Sequence, residues 1–163
     1  MTQASPSAIA HTLHHIVLAE GSEESFATAV LAWIDVERNT IHLICAGHPA
    51  PVLLSEGVAP LKVKPFLPLG VAGDNVTWQP TSMELPPAWT LFFYTDGLVE
   101  MRDRSGAEGR FGLDGLSSRL RPLAGHVITS ADLADLVHGV VATSGEAPSD
   151  DVAALAVSTR RLA

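Results

Sequence analysis

The chain has 163 residues, 47% hydrophobic and 17% charged, which is one domain's length with enough apolar material for a sizeable core, and it argues against disorder over most of the sequence. Ten Lys and Arg stand against 18 Asp and Glu, a formal charge of −8, so there is no broad basic face for a phosphate backbone and nucleic acid is not an expected partner. No run reaches the roughly 18–20 apolar residues of a membrane span, the N-terminus lacks a basic or long apolar leader region, and Cys45 has no second cysteine to pair with; the reading is a soluble cytoplasmic protein.

A helix is predicted over 1–22, with Ser5 as N-cap, Pro6 at the first helical position, Ile9, Leu13, Ile16 and Val17 at helical spacing, and Gly21 as the stop. Strands are predicted over 26–56. "FATAVLAWIDV", the turn "ERNT" and "IHLICAG" form a hairpin whose strands look buried on both faces or nearly so, and "APVLLSEG" is a third, short strand. Pro and Gly crowd 57–75, which reads as loop. Extended chain returns over 76–96, ending in the apolar run "TLFFYTDG", and "LVEMRDRSGAEGRFG" reads as a short helix or turn followed by a loop. Two helices follow within 112–143. The first carries Leu113, Leu116, Leu120 and Leu123; the second, capped by Ser130, repeats Leu133, Leu136, Val137, Val140 and Val141 as one apolar stripe. A last strand covers 151–158. Hairpin-linked strands followed by two successive helices and a strand predict an α+β fold, helices on a largely antiparallel sheet, and no internal linker divides 1–163.

The chemistry gathers at two turns. Asp96 and Gly97 follow one apolar strand, and Asp150 and Asp151 precede another. Taken alone, these are either ordinary turn and cap carboxylates or oxygen ligands for one hard cation. If the two strands are antiparallel neighbours, both turns fall at one sheet edge. Their carboxylates could then share a metal cluster that acidifies a water for in-line attack on phosphorus, with Gly97 letting its backbone carbonyl approach a hydrated ion.

"AGHPAPVLL" (46–54), "PLGV" (68–71), "LFFYTDGLVEMRD" (91–103) and "DDVAALAV" (150–157) resemble, in order and spacing, the motifs of the metal-dependent Ser/Thr protein phosphatases (PPM), and more narrowly their SpoIIE/RsbU-like branch. The similarity runs from about Phe26 to the end. It implies an antiparallel β-sandwich flanked by helices, with a two-metal Mg2+ or Mn2+ site between the sheets. Asp96 and Asp150 would be metal ligands, with Gly97 and Asp151 as weaker members, and His48 would shape the rim. It also implies hydrolysis of phosphoserine or phosphothreonine on a bacterial regulatory phosphoprotein, such as an anti-sigma factor antagonist in a partner-switching pathway. The family's earlier Asp-Gly, whose carboxylate bridges both metals, has no counterpart before Phe26. The chain therefore reads as the C-terminal two-thirds of the domain, without its first strands. From this come two expectations: an incomplete metal site, and sheet edges open to pairing with a second copy. The alternative function is a phosphatase-like regulatory or binding module.

Other candidates carry less. His11 and His15 have the i, i+4 spacing of a zinc protease helix, but Thr12 stands where the catalytic Glu belongs, so they read as surface or partly buried histidines. Cys45 lies in a predicted strand and "CAGHPAP" lacks the arginine of a cysteine phosphatase loop, which leaves it a small buried residue. Arg102, Arg104 and Arg110 follow "TDG" and could steer a phosphate, although on a loop they are more often solvated. There is no P-loop, Rossmann loop or GxSxG elbow.

Overall fold

The hydroxyl of Ser5 accepts a hydrogen bond from the Ala8 amide at 3.2 Å, and Pro6 opens helix α1, Pro6–Glu20, which ends at Gly21. This is the expected start and stop. The structure, a computed structural model, describes residues 5–21, 25–71, 75–102, 111–144 and 150–159. They fall into two compact units, Met1–Ala50 with Lys62–Leu85, and Pro51–Leu61 with Pro86–Ala163.

The first unit is built on strands β1 (Ala29–Asp35) and β2 (Thr40–Ala46), an antiparallel hairpin in register from Ala29↔Ala46 to Asp35↔Thr40. Its turn is closed by Asp35, whose carboxylate accepts from the Arg38 amide at 2.9 Å and from the Arg38 guanidinium at 2.7 Å, while Asn39 takes a positive φ of 49°. The far side of β2 pairs with two further strands. The first, in parallel, is the two-residue β5 (Pro65–Phe66), numbered after two short strands of the second unit; the other, antiparallel, is β6 (Thr81–Glu84).

Residues 57–75 are therefore not all loop. Short β5 lies here, as does β4 of the second unit, because two or three residues of ladder are compatible with prolines that a long central strand would exclude. Strand β2 is buried on both faces as expected, with Ile41, Leu43 and Cys45 on one and Ile44 and Ala46 on the other. Strand β1 is only half-buried. Among the described residues it pairs with β2 alone, which makes it an edge.

Helix α1 lies over Ile44 and Ala46, in a core completed by Leu69 and Trp78. The helix face it buries differs from the one predicted: Ala10 and His14 are the buried residues, Leu13 and Val17 pack beside them, and Ile16 is 45% exposed. The Nδ1 of buried His14 accepts the Gly70 amide at 3.1 Å, while its buried Nε2 has no hydrogen-bond partner among the described residues.

The second unit carries β3 (Val52–Leu54), β4 (Val58–Pro60), β7 (Thr90–Tyr94) and β8 (Ala154–Ser158), an antiparallel sheet in the order β4-β3-β7-β8. Helices α2 (Gly112–Leu120) and α3 (Ser130–Ser144) cover one face of it. Val52, Leu54, Phe92 and Tyr94 from the strands meet Leu116, Leu120, Leu136 and Val140 from the helices in one core, with Leu133, Val137 and Val141 packed against it. The apolar periodicity had pointed to these positions, except that Leu113 is 43% exposed and Leu123 falls in a 3-10 turn, Arg121–Leu123. The cap of α3 is Thr129 rather than Ser130. The Thr129 hydroxyl accepts from the Asp132 amide at 3.2 Å and donates to the Asp132 carboxylate at 2.7 Å, a reciprocal cap that leaves Ser130 as the first helical residue.

Candidate functional site

Strand β7 ends at Tyr94 and β8 begins at Ala154, and these two residues are Cα partners in the antiparallel ladder. The C-terminal end of one strand and the N-terminal end of the other therefore share an edge, which is the condition the sequence reading set. The ladder continues one step further, with the Thr95 amide donating to the Ala153 carbonyl at 3.1 Å. The Thr95 hydroxyl then donates to the Asp151 carbonyl at 2.8 Å and accepts from the Ala153 amide at 2.9 Å. Asp96 opens a single 3-10 turn, Asp96–Leu98, its carbonyl accepting from the Val99 and Glu100 amides at 2.9 Å each.

Gly97 is buried against the opposite turn. A Cβ built on it would lie 2.6 Å from the Asp151 carbonyl oxygen and 3.2 Å from that of Asp150, so a side chain at 97 would force the two backbones apart. The absent side chain admits the neighbouring peptide. The Thr95–Gly97 turn and the Asp150–Asp151 turn are thus in close backbone approach.

Asp96, Asp150 and Asp151 are all exposed at this rim. The Gly97 amide donates to Asp96 Oδ1 at 3.1 Å, and the Asp151 amide donates to Asp150 Oδ1 at 2.7 Å. Each bond orients its carboxylate through one oxygen and leaves the other for a further ligand. Two exposed carboxylates on adjacent backbone turns fit a hard cation that keeps most of its waters, as Mg2+ commonly does. Among the described residues no group of three or more His, Cys, Asp or Glu is placed to hold a metal.

The remaining candidates separate cleanly. Cys45 is buried in β2, and desolvation pushes its thiol up to about 11, the opposite of what a nucleophile requires. His11 is half-buried and His15 exposed on α1, neither within a metal cluster among the described residues. His48 is half-buried, its Nδ1 3.0 Å from the Pro49 carbonyl; since a carbonyl only accepts, Nδ1 carries the proton. Arg102 is exposed, while Arg104 and Arg110 lie outside the described residues.

Two residues escaped the sequence reading. Thr95 was visible only as the hydroxyl ending an apolar strand, and His14 as a polar residue on the Ala10, Leu13, Val17 face of α1.

Among the described residues, two mainly antiparallel sheets with three α-helices make a mixed α+β fold, and it is the fold of PP2C phosphatase domains. The SiaA-PP2C domain of Pseudomonas aeruginosa shares it with a TM-score of 0.75 at 24% identity, over 95% of this chain and 61% of that one. The RsbU and RsbW domains of a Mycobacterium tuberculosis protein align with a TM-score of 0.66 at 22% identity, over 95% of this chain and 42% of that one. The phosphatase domain of the Bacillus subtilis cell fate determinant SpoIIE, in a Mn-presoaked form, aligns with a TM-score of 0.61 at 16% identity, over 96% and 66%. The chain therefore spans between 42% and 66% of the length of these structures.

The chain belongs to the Stage II sporulation protein E (SpoIIE) family, which matches residues 1–160. Comparison with curated protein sequences gave no significant match. No described helix is long and apolar enough to cross a membrane.

Proposed function

We propose that the chain is a Mg2+- or Mn2+-dependent phosphoserine/phosphothreonine phosphatase domain acting on a bacterial regulatory phosphoprotein, such as an anti-sigma factor antagonist. The observation that carries this reading is the close backbone approach of the Asp96–Gly97 and Asp150–Asp151 turns. Membership of the SpoIIE family and the Mn-presoaked relative support the choice of chemistry and ion.

In this reading Asp96 and Asp150 hold the cation, and Asp151 lies close enough to serve the same rim. A divalent cation bound there supplies charge to neutralise phosphoryl oxygens and to acidify a coordinated water. The chain's own residues aim each carboxylate through a neighbouring amide and fix the spacing between their turns. The formal charge of −8 also favours cation capture and opposes an unassisted phosphate, so binding of the phosphorylated substrate depends on the metal.

The test is hydrolysis of an aryl phosphate with and without Mn2+, by the parent chain and by Asp96→Asn. Turnover that requires Mn2+ and disappears in the variant is the expected result; turnover that survives the substitution would sink the enzyme reading. A second reading is favoured by one observation, the lack of a three-residue metal cluster among the described residues. It is a phosphatase-like binding module that docks a partner or a second copy along a sheet edge, such as the one β1 forms among the described residues. Metal-independent capture of a partner by a chain without turnover would decide for it.

A further inference from the structure

We infer that Thr95 is the positioning residue of the acid rim, the group that sets how far apart the carboxylates of Asp96 and Asp150 stand. The inference rests on the metal-binding reading above and deepens it. Its basis is the hydroxyl of Thr95, which spends both its capacities on the opposite turn: it donates to the Asp151 carbonyl at 2.8 Å and accepts from the Ala153 amide at 2.9 Å.

With donor and acceptor both engaged, the side chain has one rotamer and the two segments one separation. Asp96 follows Thr95 by a single peptide bond. Asp150 is reached through Asp151, whose carbonyl is bound by Thr95 and whose amide donates to Asp150 Oδ1 at 2.7 Å. A short path of hydrogen bonds thus runs from the residue beside one carboxylate to an oxygen of the other. Gly97 sets the closest approach of the turns by steric contact, and Thr95 holds them at it.

Strand formation alone does not call for a hydroxyl here. Valine has the same branched shape and a higher strand preference, and would extend the apolar run "LFFY" without interruption. What valine lacks is the pair of bonds to Asp151 and Ala153. Groups that orient metal ligands without touching the ion cost about 10–100-fold in metal affinity when removed, and Thr95 falls in that class.

The experiment is a calorimetric Mn2+ titration of the 163-residue chain and of Thr95→Val, Thr95→Ser, Asp96→Asn and Leu116→Ala. Thr95→Val is expected to raise the Kd by about tenfold or more, and Thr95→Ser to stay within about twofold of the parent because the hydroxyl remains. Leu116→Ala, which loosens the core without touching the rim, should leave the Kd unchanged and so separates positioning from general destabilisation.

Parent-like binding by Thr95→Val, alongside lost binding by Asp96→Asn, overturns the role of Thr95 and leaves the metal reading intact. Equal weakening by Thr95→Ser and Thr95→Val overturns it too, since the hydroxyl would then not be the cause. If Thr95→Val does not fold, Thr95→Ser decides: parent affinity with a slowly exchanging Ala153 amide supports the assignment, and a loss of about tenfold overturns it. Parent-like binding by Asp96→Asn removes the metal reading itself, and the role of Thr95 falls with it.

Discussion

The turn after β2 and the turn after β7 use the same device for opposite ends. At the first, Gly47 has φ 65°, its amide donates to the Phe66 carbonyl at 2.8 Å, and a Cβ would lie 2.5 Å from the ring of Pro68. At the second, a Cβ on Gly97 would lie 2.6 Å from the Asp151 carbonyl. In each case a missing side chain admits a distant segment. What is admitted differs: a proline ring at Gly47, which is packing, and a peptide flanked by exposed acids at Gly97, where the ligand site is proposed. A glycine after a buried strand thus marks the close approach of a distant segment.

The largest effect expected lies in the core of the second unit, away from the rim. Leu116→Ala empties a fully buried position in the core behind β7, and urea unfolding should register a loss of about 2–5 kcal/mol. The glycine pair sharpens the comparison directly. Gly47→Ala and Gly97→Ala should each cost about 1–3 kcal/mol in the same measurement, because each forces neighbouring atoms apart. Only Gly97→Ala should also weaken Mn2+ binding. Matching losses of Mn2+ affinity in both variants would erase the distinction between a packing turn and a ligand turn.

The smallest effect lies away from both turns and calibrates what an exposed carboxylate does when it is structural. Hydrogen bonds from the Thr129 hydroxyl and then the Thr129 amide hold the Asp132 carboxyl below its ordinary value of 3.8. A depressed folded value means that the cap's contribution is present above the ordinary value and fades as pH falls through the folded one. An NMR titration of the Thr129 amide should therefore show its midpoint below 3.8, and Asp132→Asn should abolish that titration. A midpoint above 3.8 would contradict the cap.

Most of the frame was legible because it rests on periodicity. The stripe of α3, the buried runs of β2 and β7, and the Ser5–Pro6 start of α1 each follow from local spacing that tertiary contacts then confirm. The misses have physical reasons. Short β4 and β5 were read as loop because two or three ladder bonds leave no repeat to detect. Strand β1 was read as buried because edge position is a property of the sheet and not of "AVLAWID". Within α1, His14 is buried at a position that its polarity hides, its Nδ1 bonded to a residue 56 positions away.

At the rim, strand-end position left the aspartates open between caps and ligands, the motif resemblance singled out Asp96 and Asp150, and the antiparallel pairing of β7 and β8 puts their turns at one sheet edge. The hydroxyl of Thr95 could not be picked out, because its partners 56 and 58 residues on become neighbours only once β7 and β8 are paired.

The central claim is that the acids at 96 and 150 serve one cation, and it is tested most directly by following Mn2+ binding through electron paramagnetic resonance in the parent, Asp96→Asn, Asp150→Asn and the double variant. A shared ion predicts that each single substitution removes nearly all the binding that the double one removes. Losses that simply add, or an Asp150→Asn protein that binds Mn2+ as the parent does, would contradict it.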